Sequence, residues 1–192
     1  MYPVKFQYCN VSETEVSKLP EKICKIQKFN LQNFETTCQR VIGNVFVGPG
    51  DEQYVKKLGN VTWIYGRIMI NGTSLEAIDF FKKLEFVAYF EDDEYSLYIL
   101  NNKYLINASF PNLKVIRTLN EVYRMLVFHG NNPQIALNSN FCHRLKSELN
   151  TTKQLIPEID GKSYLIENFS KVRISYSWFL ISILVTFSNH NF

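Results

Sequence analysis

Four kinds of side chain in this sequence could do chemistry: clustered carboxylates, histidines, cysteines and asparagines in acceptor motifs. The acidic run Glu91-Asp92-Asp93-Glu94 could in principle hold a hard cation or work as an acid/base pair. Its spacing matches no EF-hand loop and no second ligand-bearing motif lies near it, so it reads as a solvated turn. His129 or His143 set against that run would make the best catalytic pairing. His129, however, stands beside Gly130-Asn131-Asn132, where a histidine reads as a corner residue at a strand end rather than a general base. Cys9, Cys24, Cys38 and Cys142 lack the CxxC spacing of a zinc site and fit oxidised pairing instead. Cys24 and Cys38 bracket Lys25–Thr37, a 13-residue interval that one disulfide could close. The expectation is no catalytic residue, no metal site and no cofactor.

The acceptor motifs carry more information. Asn10, Asn60, Asn71, Asn107, Asn150 and Asn168 each begin Asn-x-Ser/Thr without an intervening proline, more often than chance composition supplies. With the cysteines, they point to the secretory pathway and to an oxidising compartment. The N-terminal Met1–Cys9 stretch has no apolar signal-peptide core. Either the sequence is a fragment that starts downstream of its true beginning, or the chain stays in the cytosol with inert motifs; the first reading is preferred. A net charge of +3, with Lys56-Lys57 and Lys82-Lys83 as its basic doublets, is too small and too scattered for nucleic acid. At 192 residues, 46% of them hydrophobic and 20% charged, the chain can bury one core of ordinary size.

The elements that must position these residues are short strands with Asn- or Gly-rich ends. In Gly66–Thr73, Ile68 and Ile70 alternate with Arg67, Met69 and Asn71, the period-two pattern of a half-buried strand. Asn44–Gly50, Tyr95–Asn102 and Arg124–Asn132 look alike. From Val45 to Ile68, to Leu97, to Leu126, the strand starts lie about 23 to 29 residues apart, the range of solenoid repeats. One such unit cannot bury its apolar face alone, so the strands must stack in parallel. Asn and Gly at the ends suit the corners, the first by bonding backbone groups and the second by accepting positive φ. Between strands, Asp51–Leu58 reads as a short helix or turn. Ser74–Leu84 is predicted to form an amphipathic helix capped by Ser74.

Cys38–Gly48, the unit Gly66–Leu84, Phe110–Arg117 (FPNLKVIR) and Asn138–Cys142 (NSNFC) together resemble the receptor L domain. This is the leucine-rich-repeat-like domain of the insulin and EGF receptor ectodomains; the chain also resembles nematode proteins that carry L domains without a kinase. The resemblance covers about Cys24–Leu149. It implies an α/β, leucine-rich-repeat-like fold: a short right-handed parallel β-helix (solenoid) with helical connections, forming a single L domain. It also implies that Cys24 pairs with Cys38. NSNFC matches the segment closing the last rung, whose family cysteine bonds downstream; no cysteine follows Cys142 here, so its partner stays open between none, Cys9 and another chain.

The expected organisation is an N-terminal extension (1–23), the L domain (24–150), a linker (151–173) and a hydrophobic tail (174–192). Ile174–Phe187 is an uncharged apolar run of 14 residues, shorter than the roughly 20 a spanning helix needs. It reads as a truncated membrane helix, a lipid-anchor signal with Gly161 or Ser163 near the attachment site, or a packed tail. By the resemblance, one sheet face contacts ligand. Strand phase places Phe46, Arg67, Met69, Tyr98 and Phe128 on the outward side, a candidate face for a protein or peptide ligand or co-receptor. A glycan on Asn71, in the same phase as Met69, would crowd that face. The function expected is non-catalytic extracellular or cell-surface recognition. Its rivals are a degenerate paralogue that binds nothing, a cytosolic solenoid scaffold, and a carbohydrate-active enzyme of the longer β-helix type, which would need carboxylates repeated at one strand position.

Overall fold

The strands stack in parallel because their apolar side chains repeat at fixed positions from rung to rung. The computed structural model describes residues 21–92, 94–118 and 125–137, with 141, 144, 147, 158, 159, 162 and 163. One sheet holds β1 (Ile23–Lys25), β2 (Arg40–Ile42), β4 (Trp63–Tyr65), β7 (Phe86–Tyr89) and β10 (Val115–Thr118), in that order. A second holds β3 (Val45–Val47), β5 (Ile68–Asn71), β8 (Leu97–Leu100), β11 (Leu126–His129), β12 (Glu158–Ile159) and β13 (Lys162–Ser163). A short third sheet pairs β6 (Ala77–Ile78) with β9 (Asn107–Ala108). Every pairing is parallel except β12 with β13. The chain visits the sheets in turn, so the arrangement is solenoid-like, with mostly parallel strands and few helices.

The four residues used to count the repeat lie in register: Val45 beside Ile68, Ile68 beside Leu97, Leu97 beside Leu126. All four are buried, as are Val47, Ile70, Ile99 and Phe128 two positions on. The first sheet contributes Val41, Ile64, Val87 and Ile116 from the opposite wall. Each such side chain removed from water is worth about 1.5–3 kcal/mol, and the columns make a continuous core. The first rung is closed by the Cys24–Cys38 disulfide, with Cα atoms 5.9 Å apart.

The corner between the two sheets is made by glycine. Gly43 has φ +129°, and a Cβ there would run into the Ile26 carbonyl. A Cβ on Gly66, one rung up, would run into the Gly43 carbonyl. Their amides donate to the next rung, Gly43 N to Tyr65 O (2.9 Å) and Gly66 N to Ala88 O (2.8 Å), so the backbones can stack only if both stay bare.

Of the two connections expected to be helical, one forms as expected and one does not. Glu52–Asn60 forms a 3-10 helix, as the short helix or turn at Asp51–Leu58 anticipated. Ser74–Leu84 is not helical. Its backbone carbonyls serve the next rung instead: Ile106 N and Asn107 N donate to Glu76 O, and Ser109 N donates to Ile78 O. The adjacent residues Phe80 and Phe81 are both buried, and Phe81 stacks on Phe110 at 6.0 Å, which one stripe of a helix cannot provide for neighbours in sequence. Ser74 caps nothing; its N–H and hydroxyl donate to Glu52 Oε1 at 2.8 and 3.0 Å, pinning the corner to the rung below. Those hydrogen bonds hold the Glu52 carboxyl below the usual range. A short α-helix, α1 (Pro133–Leu137), follows β11.

Candidate functional site

The outward side of β3, β5 and β8 is one column of side chains. Register places Phe46 beside Met69 and Met69 beside Tyr98. Phe46 is 44% exposed, while Met69 and Tyr98 are half-buried. Phe128 does not belong to this column. It aligns with Ile99 and is 1% exposed, packed edge-on against Phe141 at 5.5 Å; Val127 is the residue opposite Tyr98. The expected outward position was wrong by one residue, and in a strand one residue reverses the face.

Arg67 stands at the entrance of β5, where the chain turns the corner. Its guanidinium lies over Tyr89 at 4.3 Å and over Tyr98 at 5.1 Å, and it pairs with Asp92 at 2.8 Å. Tyr89 donates its hydroxyl to Asp92 at 2.7 Å, and Tyr98 donates its hydroxyl to Glu94. Burial, reinforced by these carboxylates, pushes both phenols up to about 12. The acidic run is therefore more than a solvated turn. Asp92 and Glu94 hold an arginine between two tyrosines at the seam of the sheets, in a geometry where cation–π contact is worth about 0.5–2 kcal/mol. The single cation and the two carboxylates are joined through the two phenols, by hydrogen bonds and ring contacts.

The outer face of the first sheet carries a second set of aromatic side chains that sequence reasoning missed. Trp63 stacks on Phe86 with centroids 4.6 Å apart, Tyr65 lies 5.9 Å from Phe86, and Arg40 covers Trp63 at 4.7 Å. Arg40 also pairs with Glu21. The signal was there in the equal interval from Arg40 to Trp63 to Phe86, which puts all three at one strand position.

Of the acceptor asparagines, Asn60 is exposed at the end of the 3-10 helix, while Asn71 ends β5 and Asn107 begins β9, both half-exposed. Asn10, Asn150, Asn168, Cys9, Cys142, His143 and the apolar run at 174–187 lie outside the described residues. Beyond Asn71 the strand ends are held by an asparagine ladder. Asn102, fully buried, accepts from Thr73 N and Oγ1 at 3.0 and 2.7 Å, and it donates to Ile70 O at 3.1 Å and to Asn131 Oδ1 at 2.9 Å. Asn131 repeats the motif one rung on, donating to Ile99 O at 2.7 Å. A depression of about 360 Å³ lies within the disulfide-closed first rung, lined by residues such as Ile26, Phe29 and Phe34. Among the described residues no cluster of His, Cys, Asp or Glu is arranged to hold a metal ion, and no helix is long and apolar enough to cross a membrane.

The family model described as Receptor L domain matches residues 37–153 of the 192. The chain belongs to the receptor L domain family. No curated protein matches it. The L domain is a non-catalytic binding module in its family, and its members typically bind protein ligands. Within this L domain the match begins one residue before Cys38, so the disulfide ties the segment carrying Cys24 onto the matched region from outside it.

Proposed function

We propose that this chain is a non-catalytic recognition module working outside the cell or at its surface, binding a protein or peptide ligand or co-receptor. The observation that carries the reading is the outward column Phe46–Met69–Tyr98, bordered by Arg67, on the sheet of an L domain. It combines an exposed aromatic ring, a pliable thioether and an arginine-clamped tyrosine, the residue types that dominate protein contact energies. In this reading the rungs form a short right-handed parallel β-helix, and the recognition unit spans residues 24–150. Residues 1–23 extend it, 151–173 link it, and 174–192 attach it to a membrane. The Cys24–Cys38 disulfide supports an oxidising compartment, since such bonds persist there and are rare in the cytosol. Glycans at Asn60, Asn71 and Asn107, and at Asn10, Asn150 and Asn168, complete the extracellular assignment.

The test is the state of the chain in its own cells. Isolated from them with a C-terminal tag, it should lose mass on endoglycosidase treatment and resist thiol alkylation at Cys24 and Cys38 until reduced. A chain with no glycan at any of the six sites and with freely alkylated cysteines would place it in the cytosol as a scaffold and end the reading.

A further inference from the structure

The acceptor motif Asn71-Gly72-Thr73 is bonded at each of its residues to chain made after it. Asn71 Oδ1 accepts from Asn101 Nδ2 at 3.1 Å, and Gly72 N donates to Leu100 O at 3.0 Å. Thr73 donates both its N–H and its hydroxyl to Asn102 Oδ1. Thr73 is 3% exposed and Asn102 is fully buried. In N-glycosyl transfer, a bond forms between Asn Nδ2 and C1 of the donor sugar. The bond from C1 to the pyrophosphate of a lipid-linked oligosaccharide breaks, and Nδ2 gives up one proton. The motif requires a hydroxyl at its third position because the transferase recognises that group together with the asparagine on an extended backbone. In the folded rung that hydroxyl is inside the protein and already given to Asn102.

The product of the transfer fits where its formation does not. Asn71 is half-exposed at the strand end, and its oxygen is the atom tied to the ladder. Its Nδ2, which would carry the sugar, makes no hydrogen bond among the described residues. Asn60 is built the other way round. Its Nδ2 donates to Thr36 O at 3.0 Å, and the Thr62 hydroxyl donates to Gln39 O at 2.9 Å, both partners lying earlier in the chain.

We propose that Asn71 is glycosylated only before the β8 rung closes over it, so that the folded domain retains this glycan but cannot acquire it. The inference rests on the secretory reading above for its setting. Thr73 then serves twice, first as the acceptor hydroxyl of an open chain and then as a buried donor in the ladder. The lock needs Asn102, which is 29 residues downstream of Thr73. At a synthesis rate of about 5–20 residues per second, that leaves the site open for about 1.5–6 s. The carbonyls that engage Asn60 Nδ2 and the Thr62 hydroxyl are made before that motif, so it has no such obligatory interval, and Asn71 should be occupied more fully than Asn60.

The experiment uses the full chain made without glycans, in two preparations: oxidised and folded, or reduced and denatured. Each is offered to detergent-solubilised oligosaccharyltransferase with a lipid-linked oligosaccharide donor. Occupancy of Asn71 is read by mass spectrometry after enzymatic glycan release in heavy-oxygen water, with the same digest of chain never exposed to the transferase as the blank for spontaneous deamidation at Asn71-Gly72. The expected result is modification of the unfolded chain, at least tenfold less in the folded chain, and recovery of the Cys24–Cys38 disulfide when the modified chain is refolded. Equal occupancy of folded and unfolded chains overturns the proposal, as does an unfolded chain that is never modified at Asn71, or a glycan that prevents refolding. An unglycosylated chain in its own cells, with the in vitro difference intact, counts against the secretory reading alone.

Discussion

Truncating Asn102 to alanine removes the amide that joins three successive rungs. Asn102 is fully buried, and its side chain accepts two hydrogen bonds from Thr73 and donates to Ile70 O and Asn131 Oδ1. Without it the Thr73 N–H is left in the interior with no acceptor, at a cost of about 1–3 kcal/mol, and each remaining lost bond adds about 1 kcal/mol. The Thr73 hydroxyl can rotate to another acceptor, so the total should fall at about 3–5 kcal/mol. That is a large part of the roughly 5–15 kcal/mol that holds a domain together. With an m-value of about 2 kcal/mol/M, the urea midpoint should drop by about 1.5–2.5 M. The assay is equilibrium unfolding followed by far-ultraviolet circular dichroism, with Asn112→Ala as the comparison. Asn112 also bonds a carbonyl of the neighbouring rung, Lys82 O, but it does so at the surface, where truncation should cost about 1 kcal/mol or less. An Asn102→Ala cost no larger than that of Asn112→Ala would refute the claim that the ladder is a buried, fully bonded network.

Three further outcomes follow from the geometry. Gly66→Ala sets a Cβ against the Gly43 carbonyl, so it should destabilise by at least about 2 kcal/mol, whereas Gly59→Ala, with only a 3.7 Å approach to Phe80 O, should not; thermal unfolding of both variants checks this. Tyr89 and Tyr98 have folded pKa values of about 12, above the value of about 10 for an open chain. Their stabilising contribution is therefore intact below pH 10 and lost as pH rises towards 12; phenolate absorbance should show two late titrations, one of which disappears in each Phe variant. Cys24→Ser opens a loop spanning a sequence separation of 14, which should cost about 3 kcal/mol, measured as the difference in denaturant midpoint from the oxidised parent.

Much of the fold was legible because solenoid stacking imposes a simple rule on the sequence. Val45, Ile68, Leu97 and Leu126 must each face the core from the same height, so their spacing carried the register directly. The Cys24–Cys38 pairing followed from the family resemblance and is present in the structure. Ser74–Leu84 misled because its periodicity suits a helix in isolation, while its carbonyls are claimed by the rung above, a partner about 30 residues away that no local pattern reveals. Phe128 misled for a different reason. Both Val127 and Phe128 are apolar, so the β11 strand alternates in direction but not in polarity, and its phase cannot be read from residue types. The pairing of Asp92 and Glu94 with Arg67, Tyr89 and Tyr98 was likewise invisible, since those residues meet only when the corner closes.

The measurement that bears most directly on the proposed function is binding through the outward column. The glycosylated chain, immobilised, is presented with a panel of secreted peptides and receptor ectodomains from its own organism, and dissociation constants are compared for the parent, Phe46→Glu, Met69→Glu and Ile106→Glu. Ile106 is 46% exposed but lies just before β9 in the third sheet, outside the column. The account predicts a ligand whose affinity falls at least tenfold with either column variant and is unchanged by Ile106→Glu. A panel that yields no ligand, or a ligand indifferent to Phe46 and Met69, would contradict it.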